Sequence, residues 1–176
     1  MSNNNIYSHI THESIPLFID DDSTILILGS LPSVKSREVG FYYGHPYNRF
    51  FKVLSSLFDE EEPINIDDRK LFLKKHHIAL YDVIYECDII SSSDASIKNV
   101  IPIDIKSILD KYTNIKTIAI NGNKAKHLYD KYLLQITKTH GVKTIYLPST
   151  SPANARMSVD ELIKEYSVLE NKSFPI

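Results

Sequence analysis

The chain has 176 residues, of which 43% are hydrophobic and 24% charged, and its net charge is −2. This length and composition are those of one globular domain, and they exclude a disordered, collagen-like or coiled-coil chain. The single cysteine excludes an internal disulfide and a thiolate-held iron–sulfur or zinc site, and no apolar run is long enough for a membrane span.

The five glycines match none of the common motifs that hold phosphates or nucleophiles. The sequence contains no Gly-x-Gly pair, no Gly-x4-Gly-Lys and no Gly-x-Ser-x-Gly. It therefore lacks the dinucleotide fingerprint, the P-loop and the nucleophile elbow. Because the overall charge is slightly negative, a nucleic-acid partner would have to bind a local basic patch.

The N-terminal residues are polar. Residues 1–9 lack the basic and then apolar layout of a signal peptide, so we expect a cytoplasmic protein. We expect residues 1–15 to be an N-terminal extension, with His9 and His12 in a mobile terminus, and residues 16–176 to form a single domain. No His-Glu-x-x-His motif occurs and no third ligand is evident, so we expect no metal site.

The rest of the chain alternates between predicted strands and predicted helices. Short apolar runs predict strands at 24–28, 78–84, 116–120 and 143–147. Apolar residues at helical spacing predict helices at 48–58, 67–76, 104–112, 125–136 and 158–169. The polar, serine-rich stretch 86–99 is predicted to be a loop. The alternation favours an α/β fold with a parallel sheet that is covered on both faces.

Polar segments follow each of the four predicted strands. They begin at Gly29, Asp82, Asn121 and Pro148. In open parallel sheets, ligands bind beyond the carboxyl ends of the strands. We therefore expect these four segments to form the functional site.

An aromatic segment with the sequence FYYGHPYN, at 41–48, lies between the first strand and the first helix. Tyr42 and Tyr43 suit stacking on a flat ligand or packing in the core, and the sequence leaves both roles open. Asn48 stands where the helix should begin, so capping of that helix is its simplest role.

The segments after the second and third strands carry polar groups with two possible uses. Asp82 interrupts an apolar run, where a carboxylate must be solvated, paired or functional, or else serve a turn. Asn121, Gly122, Asn123 and Lys124 could hold a phosphate at a helix start, although a plain strand–turn–helix junction would look the same.

The segment after the fourth strand, PSTSPANAR at 148–156, is the most unusual in the chain. Two prolines frame three hydroxyl residues, and an asparagine and an arginine follow. Hydroxyls and backbone amides in a stiff loop suit contacts with phosphates.

Together these segments resemble the uracil-DNA glycosylase superfamily, and most of all its hypoxanthine-DNA (deoxyinosine) glycosylase branch. The matching stretches follow the family's order and spacing over residues 16–169. They are ILILGSLPS (25–33), YYGHPYNRFF (42–51), LYDVIYEC (80–87), SSDASI (92–97), INGNKA (120–125) and LPSTSPANAR (147–156). The Tyr-Tyr-x-His-Pro-x-Asn and Leu-Pro-Ser-Thr-Ser-Pro-Ala-Asn blocks are long and specific.

The resemblance implies a three-layer α/β/α sandwich around a four-stranded parallel sheet. It implies hydrolysis of the N-glycosidic bond of a deaminated base in DNA, most simply hypoxanthine, by base flipping and without a cofactor; we expect a monomer. By the matching motifs, the catalytic residues would be Asn48 and Asn121. The base would be bound by Tyr43, Asp82, Gly29, Ser30 and His45. The DNA would be bound by Ser33, Lys124, Ser149, Thr150, Ser151, Asn154 and Arg156.

This sequence departs from the family pattern at three positions. Leu31 stands where many superfamily members carry an acidic or amide residue that activates water, which fits the hypoxanthine branch. Phe51 and Tyr81 stand where that branch often has tryptophan. The alternatives are a uracil or mismatch glycosylase of the same fold, a non-catalytic base- or nucleotide-binding protein, and a bifunctional glycosylase with a lysine nucleophile.

Overall fold

The computed structural model describes residues 7–90 and 94–170. Its strands are β1 (Ser8–Thr11), β2 (Ile25–Gly29), β3 (Ile78–Asp82), β4 (Ile84–Ile89), β5 (Lys98–Pro102), β6 (Thr117–Asn121) and β7 (Lys143–Leu147). Its α-helices are α1 (Val34–Val39), α2 (Phe50–Leu57), α3 (Ile66–Lys75), α4 (Ile105–Lys111), α5 (Asn123–Tyr132), α6 (Leu134–Thr139) and α7 (Val159–Tyr166). Across these two ranges, none of the helices is both long and apolar enough to traverse a lipid bilayer.

The central element is a parallel sheet with the strand order β3-β2-β6-β7. All five residues of β2, β3 and β6 are buried, as expected for strands that are apolar on both faces. β7 lies at an edge and is partly exposed. The predicted α/β architecture with a four-stranded parallel sheet and helices is confirmed.

Local sequence explains where most helices begin. The side chains of Asn65, Asp104 and Ser158 accept hydrogen bonds from backbone N–H groups in the first turns of α3, α4 and α7. The side chain of Glu161 accepts a hydrogen bond from the backbone N–H of Ser158, and this second bond completes a capping box at the start of α7. The short helix α1, which the apolar pattern did not predict, begins after Ser33 in the same way.

A second sheet corrects the prediction for residues 78–99. The expected loop at 86–99 is wrong, because β4 and β5 pair there in an antiparallel sheet of order β1-β4-β5. The apolar run at 78–84 also belongs to two strands, since the chain leaves the parallel sheet at Val83. Residues 92 and 93 of the predicted family stretch lie outside the described residues.

The N-terminal segment also differs from its prediction. β1 pairs with β4, and Ile10 and Ile15 are 4% and 1% exposed in the core. His12 was expected in a mobile terminus, but its side chain is buried. The sequence did not indicate this strand, because the first residues are polar and Ile10 is the one buried residue of β1.

The helix predicted at 125–136 is divided at Leu133 into α5 and α6. The Tyr129 hydroxyl hydrogen-bonds the hydroxyls of Thr137 and Thr144, at 2.5 and 2.8 Å, and so holds the start of β7 against both helices. The apolar spacing continues across the break, which is why the sequence pattern did not show it.

Candidate active site

The carboxyl ends of the parallel strands border a cavity of about 530 Å³. Strand pairing aligns Gly29 with Asp82 and Asn121 with Leu147, so the segments after the four strands meet at one edge. The cavity is lined by all of the predicted catalytic and base-binding residues, namely Asn48, Asn121, Tyr43, Asp82, Gly29, Ser30 and His45.

The position of the Asp82 side chain beside Gly29 explains why β2 ends in a glycine. A Cβ atom at Gly29 would lie 2.3 Å from Oδ1 of Asp82, which is far closer than real Cβ contacts allow. The backbone carbonyl of Gly29 accepts a hydrogen bond of 2.9 Å from the N–H of Val83. Gly29 therefore makes room for the Asp82 carboxylate and also fixes the backbone that carries it.

Asp82 is a buried carboxylate that faces the cavity, with 6% of its surface exposed. Its Oδ2 lies 3.1 Å from Nε2 of His12. Within the described ranges, Oδ2 nevertheless has no aligned hydrogen-bond donor. The sequence left open whether Asp82 is a paired or functional carboxylate or a solvated residue in a turn. Its burial agrees with a paired or functional carboxylate.

Asn121 is engaged at both ends of its side-chain amide. Its Nδ2 donates to the Thr150 hydroxyl at 3.2 Å and to the Tyr43 hydroxyl at 3.3 Å. Its Oδ1 accepts from the backbone N–H of Thr150 at 3.2 Å. Both N–H groups of the amide are used, so Asn121 joins the end of β6 to the loop after β7 and to the aromatic segment.

Tyr43 is partly buried and has a left-handed backbone, with φ of 52°. One face of its ring stacks on Phe50, with ring centres 3.8 Å apart and planes 13° apart. Burial, with a further contribution from the charge of Asp82, raises the pKa of the Tyr43 hydroxyl far above its ordinary value. The ring is thus a neutral platform whose other face can meet a flat ligand.

Asn48 and His45 carry donors that the protein leaves available. Oδ1 of Asn48 accepts a hydrogen bond of 2.9 Å from the backbone N–H of Phe50. The N-cap residue of α2 is Arg49, so the predicted capping role of Asn48 is wrong, and its bond lies just before the helix. No described residue accepts from its Nδ2. Nδ1 of His45 accepts from the N–H of Tyr47 at 3.1 Å, which places the ring proton on Nε2.

Arg49 holds the loop after β7 in place. Its guanidinium donates to the carbonyl oxygens of Ser151 and Asn154, at 2.9 and 2.8 Å, and also to those of Met157 and Thr150. Its backbone N–H donates to the Thr150 carbonyl at 3.1 Å. One side chain from the start of α2 therefore fixes the whole loop by its backbone.

The loop after β7 places its predicted DNA-binding residues in different surroundings. Ser149, Thr150 and Ser151 line the cavity, and Thr150 among them is fully buried against Asn121. Asn154 donates from Nδ2 to the Ser149 carbonyl at 2.9 Å and lies outside the cavity lining, as does the exposed Arg156. Only part of the loop is thus placed to contact a ligand inside the cavity.

Cationic side chains gather on one side of the cavity despite the negative net charge. Lys124 and Ser33 line it, together with Lys35 and Arg37 of α1. Nζ of Lys35 also lies 2.7 Å from a carboxylate oxygen of Glu38. The Nε of Arg37 is buried and makes no hydrogen bond to the residues that the structure describes. This side of the cavity suits an anionic ligand such as a phosphate. In residues 7–90 and 94–170, no cluster of three or more metal-ligating side chains occurs.

Comparison with known proteins identifies the family of this chain. The family model described as the uracil DNA glycosylase superfamily matches residues 16–167. The chain belongs to this superfamily. It is therefore a DNA glycosylase, and its substrate class is DNA.

Relatives within the uracil DNA glycosylase superfamily match most of the chain. A protein of Methanosarcina barkeri named hypoxanthine DNA glycosylase is 34% identical over 82% of this chain and 89% of its own length. A protein of the same name from Methanosarcina acetivorans is 33% identical over 81% and 88%. A solution NMR structure from Methanosarcina acetivorans, described as a candidate uracil DNA glycosylase, has a TM-score of 0.74 and 30% identity, covering 89% of this chain and 97% of that one.

Three residues at or behind this candidate site were not predicted from the sequence. His12 was assigned to the extension, Arg37 lies in an unpredicted helix, and Arg49 was quoted only as part of a motif. Arg49 could have been noticed because it directly follows Asn48. No local signal could have placed His12 against Asp82, because the contact depends on the pairing of β1 with β4.

Proposed function

We propose that the protein removes hypoxanthine from deoxyinosine in DNA by hydrolysing the N-glycosidic bond. The observation that carries this proposal is the meeting of Asp82, an acceptor, with the available donors of Asn48 and His45 in one cavity. Hypoxanthine presents an N1–H donor beside an O6 acceptor, and adenine presents the opposite polarity at the same edge. The names of the two Methanosarcina relatives support the same substrate.

The base must leave the duplex before it can reach this cavity. Extrusion of a nucleotide costs a few kcal/mol, and it costs less when the base is poorly paired. A deaminated base in a mismatch is therefore easier to flip than a normal one. The free face of Tyr43, whose other face rests on Phe50, would receive the flat base.

In the cavity, Asp82 would accept the N1–H and the Asn48 amide would donate to the base or orient a water. The backbone bond from Phe50 to Asn48 Oδ1 fixes the orientation of that amide. Cleavage leaves an electron-poor sugar and an anionic base, and donors aimed at the base lower the barrier. A water then adds to the sugar carbon.

Ordinary glycosidases divide general acid and general base catalysis between two carboxylates, and this cavity cannot work in that way. Among the described residues that line the cavity, Asp82 is the only carboxylate. Asn48 is therefore the proposed catalytic residue, and Asn121 is the second important amide because it fixes Tyr43 and Thr150.

The cationic side of the cavity would hold the DNA backbone. Lys35, Arg37 and Lys124 would neutralise phosphates, and Ser33, Ser149 and Ser151 would offer hydroxyls to them. Each neutralised phosphate releases counterions, so binding should weaken steeply with salt even though the chain is acidic overall.

Uracil is the second candidate base, and one observation favours it. The solved structure that resembles this chain is described as a candidate uracil DNA glycosylase. Uracil also carries an N–H between carbonyl groups, so Asp82 could read it. Leu31 lines the cavity in the Gly29 loop and offers no group to activate a water, which favours hypoxanthine.

The test is excision from matched oligonucleotides that carry deoxyinosine, deoxyuridine or deoxyxanthosine, in single and double strands. Alkaline cleavage scores the abasic product. We expect release of hypoxanthine well above release of uracil. Release of uracil alone would establish the second candidate, and release of no base would indicate a non-catalytic binding protein. Borohydride should trap no covalent DNA adduct, whereas a trapped adduct would indicate a lysine nucleophile.

A further inference from the structure

A histidine from the N-terminal segment lies against the buried carboxylate of the cavity. β1 pairs with β4, and the turn that follows it brings His12 to Asp82. Nε2 of His12 lies 3.1 Å from Oδ2 of Asp82, and the two side chains are 1% and 8% exposed. His12 thus touches the group that the proposed function assigns to reading the base.

The other ring nitrogen of His12 fixes the position of one proton. Nδ1 lies 2.7 Å from the carbonyl oxygen of Ile15. A carbonyl only accepts hydrogen bonds, so Nδ1 carries a proton. If Nε2 were bare, its lone pair would face an ionised carboxylate oxygen at 3.1 Å in a buried site, which is repulsive. A proton must therefore lie between Nε2 of His12 and Oδ2 of Asp82.

The alignment of this contact favours an ion pair. The Nε2–H direction misses Oδ2, and neither atom has a hydrogen bond to the residues that the structure describes. A neutral hydrogen bond weakens steeply when it is bent, whereas the attraction between an imidazolium and a carboxylate depends mainly on distance. The ion pair stabilises the negative charge of Asp82, but Oδ2 of Asp82 is left without an aligned hydrogen-bond donor.

Three tyrosines pack around the pair and remain neutral. The ring of His12 lies 4.7 Å from that of Tyr81 and 6.2 Å from that of Tyr42. Burial raises the pKa of Tyr81 to about 12 and the pKa values of Tyr42 and Tyr43 still further. The Tyr42 hydroxyl donates to the Pro16 carbonyl at 3.0 Å, so it does not supply the missing donor.

The other charged groups near the pair lie in the cavity lining or on the outer side of the second sheet. Arg37 and Lys124 line the cavity, and positive charge there favours an ionised carboxylate. On β1 and β4, His9 is exposed and pairs with Asp88 and Glu86 on the outside. Burial raises the pKa of Cys87, so this thiol is uncharged.

We propose that His12 is a positioning residue that, as an imidazolium, keeps Asp82 ionised and thereby selects a base with an N–H at the position of N1. This proposal rests on the proposed function. An ionised carboxylate can accept the N1–H of hypoxanthine but has no proton to offer to N1 of adenine, which is an acceptor. A protonated Asp82 would donate to adenine instead, so the charge on His12 protects normal DNA.

His12→Phe tests this role because it keeps an aromatic ring beside Tyr81 and removes the cation. A buried carboxyl without a cation tends to keep its proton at neutral pH. We expect hypoxanthine excision by the variant to be about tenfold or more below that of the unchanged protein at neutral pH. The deficit should shrink as the pH is raised, because a buried carboxyl that has kept its proton then loses it.

The control is His9→Phe, the same substitution at an exposed histidine of β1, three residues before His12. It should match the unchanged protein at every pH. If the loss in His12→Phe were the same at every pH, His12 would merely pack against Asp82, and the proposal would be overturned.

NMR of the unchanged protein gives a test that needs neither folding of a variant nor catalysis. With ¹⁵N-labelled histidine and ¹³C-labelled aspartate, both ring nitrogens of His12 should be protonated at neutral pH and Asp82 should be ionised. A bare Nε2 or a protonated Asp82 would overturn the proposal. Absence of excision from every DNA, with these signals as expected, would count against the proposed function alone.

Discussion

On one side of the cavity the polar groups are paired with one another, and on the other side they are not. The side-chain amide of Asn121 donates hydrogen bonds to Tyr43 and Thr150, and the guanidinium of Arg49 donates to carbonyl oxygens of the loop after β7. These four residues form the tied wall. Asp82 and Asn48 form the open wall, where a carboxylate oxygen lacks an aligned donor and an amide keeps its donors available. His12 lies behind Asp82, outside the cavity lining.

This difference distinguishes the residues that hold other groups in position from the residues that bind the ligand. Unpaired polar groups are costly to bury, so a folded protein retains them where a ligand completes them. Paired groups gain nothing from a ligand but hold other groups in place. The open wall is therefore expected to contact the flipped base, and the tied wall is expected to hold the loop and the stacking ring that surround it.

The largest effect is expected for Asn48→Ala in the open wall. Loss of the amide that serves the leaving base should lower excision by about a thousandfold, while DNA binding stays measurable. Only one bond at the helix start is lost, so the free energy of unfolding should fall by about 1 kcal/mol. The measurement is single-turnover excision beside DNA binding by fluorescence anisotropy.

Asn65→Ala is the control, because the Asn65 side chain also accepts a hydrogen bond from a backbone N–H at a helix start, that of Asp68 in α3, and lies outside the cavity lining. It should lose similar stability and keep full excision. Full excision by Asn48→Ala as well would remove Asn48 from the catalytic machinery.

The next largest effect is expected for Gly29→Ala. The added Cβ would lie 2.3 Å from Oδ1 of Asp82 and must displace the carboxylate from its position in the open wall. Misplacement of a group that reads the base by about 1 Å should cost about a hundredfold in excision.

The control for the glycine variant is Gly141→Ala, where a Cβ meets nothing within 4 Å but φ is +67°. Backbone strain should cost it about 1 kcal/mol of stability and no activity. If the two alanine variants excised hypoxanthine equally well, the position of Asp82 would not matter.

Arg49→Ala breaks the tied wall and should act chiefly on stability. Several buried carbonyl oxygens of the loop lose their donor, which should lower the free energy of unfolding by about 2–4 kcal/mol. Excision should fall by about tenfold because the loop loses its position. Chemical denaturation and excision together check this.

Arg69→Ala provides the comparison for Arg49, since its guanidinium lies over the Phe51 ring, 4.6 Å from the ring centre, and holds no loop. Its loss of stability should be smaller and its excision normal. Unchanged stability in Arg49→Ala would contradict the assignment of the tied wall.

The smallest effect is expected for Arg37→Gln on the cationic side of the cavity. Removal of one phosphate contact should weaken DNA binding a few-fold, and should reduce the slope of log affinity against log salt by about one. Lys111→Gln, which removes a charge outside the cavity lining, should leave the slope unchanged. Equal slopes for all three proteins would exclude Arg37 from the DNA contact.

The sequence predicted the parallel sheet and the polar residues at its edge better than the antiparallel sheet and the residues that hold the site in place. The apolar runs that end at Gly29, Asn121 and Pro148 are local signals, and the residues after them do meet at one edge. The antiparallel sheet was missed because β4 and β5 are polar and serine-rich around their connection. His12 was missed because its contact with Asp82 spans 70 residues of sequence and depends on that sheet.

Excision of hypoxanthine and of 1-methylhypoxanthine from the same duplex is the most direct test that the open wall reads the base. The methyl group removes the N1–H that Asp82 is proposed to accept. We predict release of hypoxanthine and rejection of the methylated base, with the rejection relaxed in Asp82→Ala, which has room and no unpaired acceptor. Equal release of both bases by the unchanged protein would contradict the account.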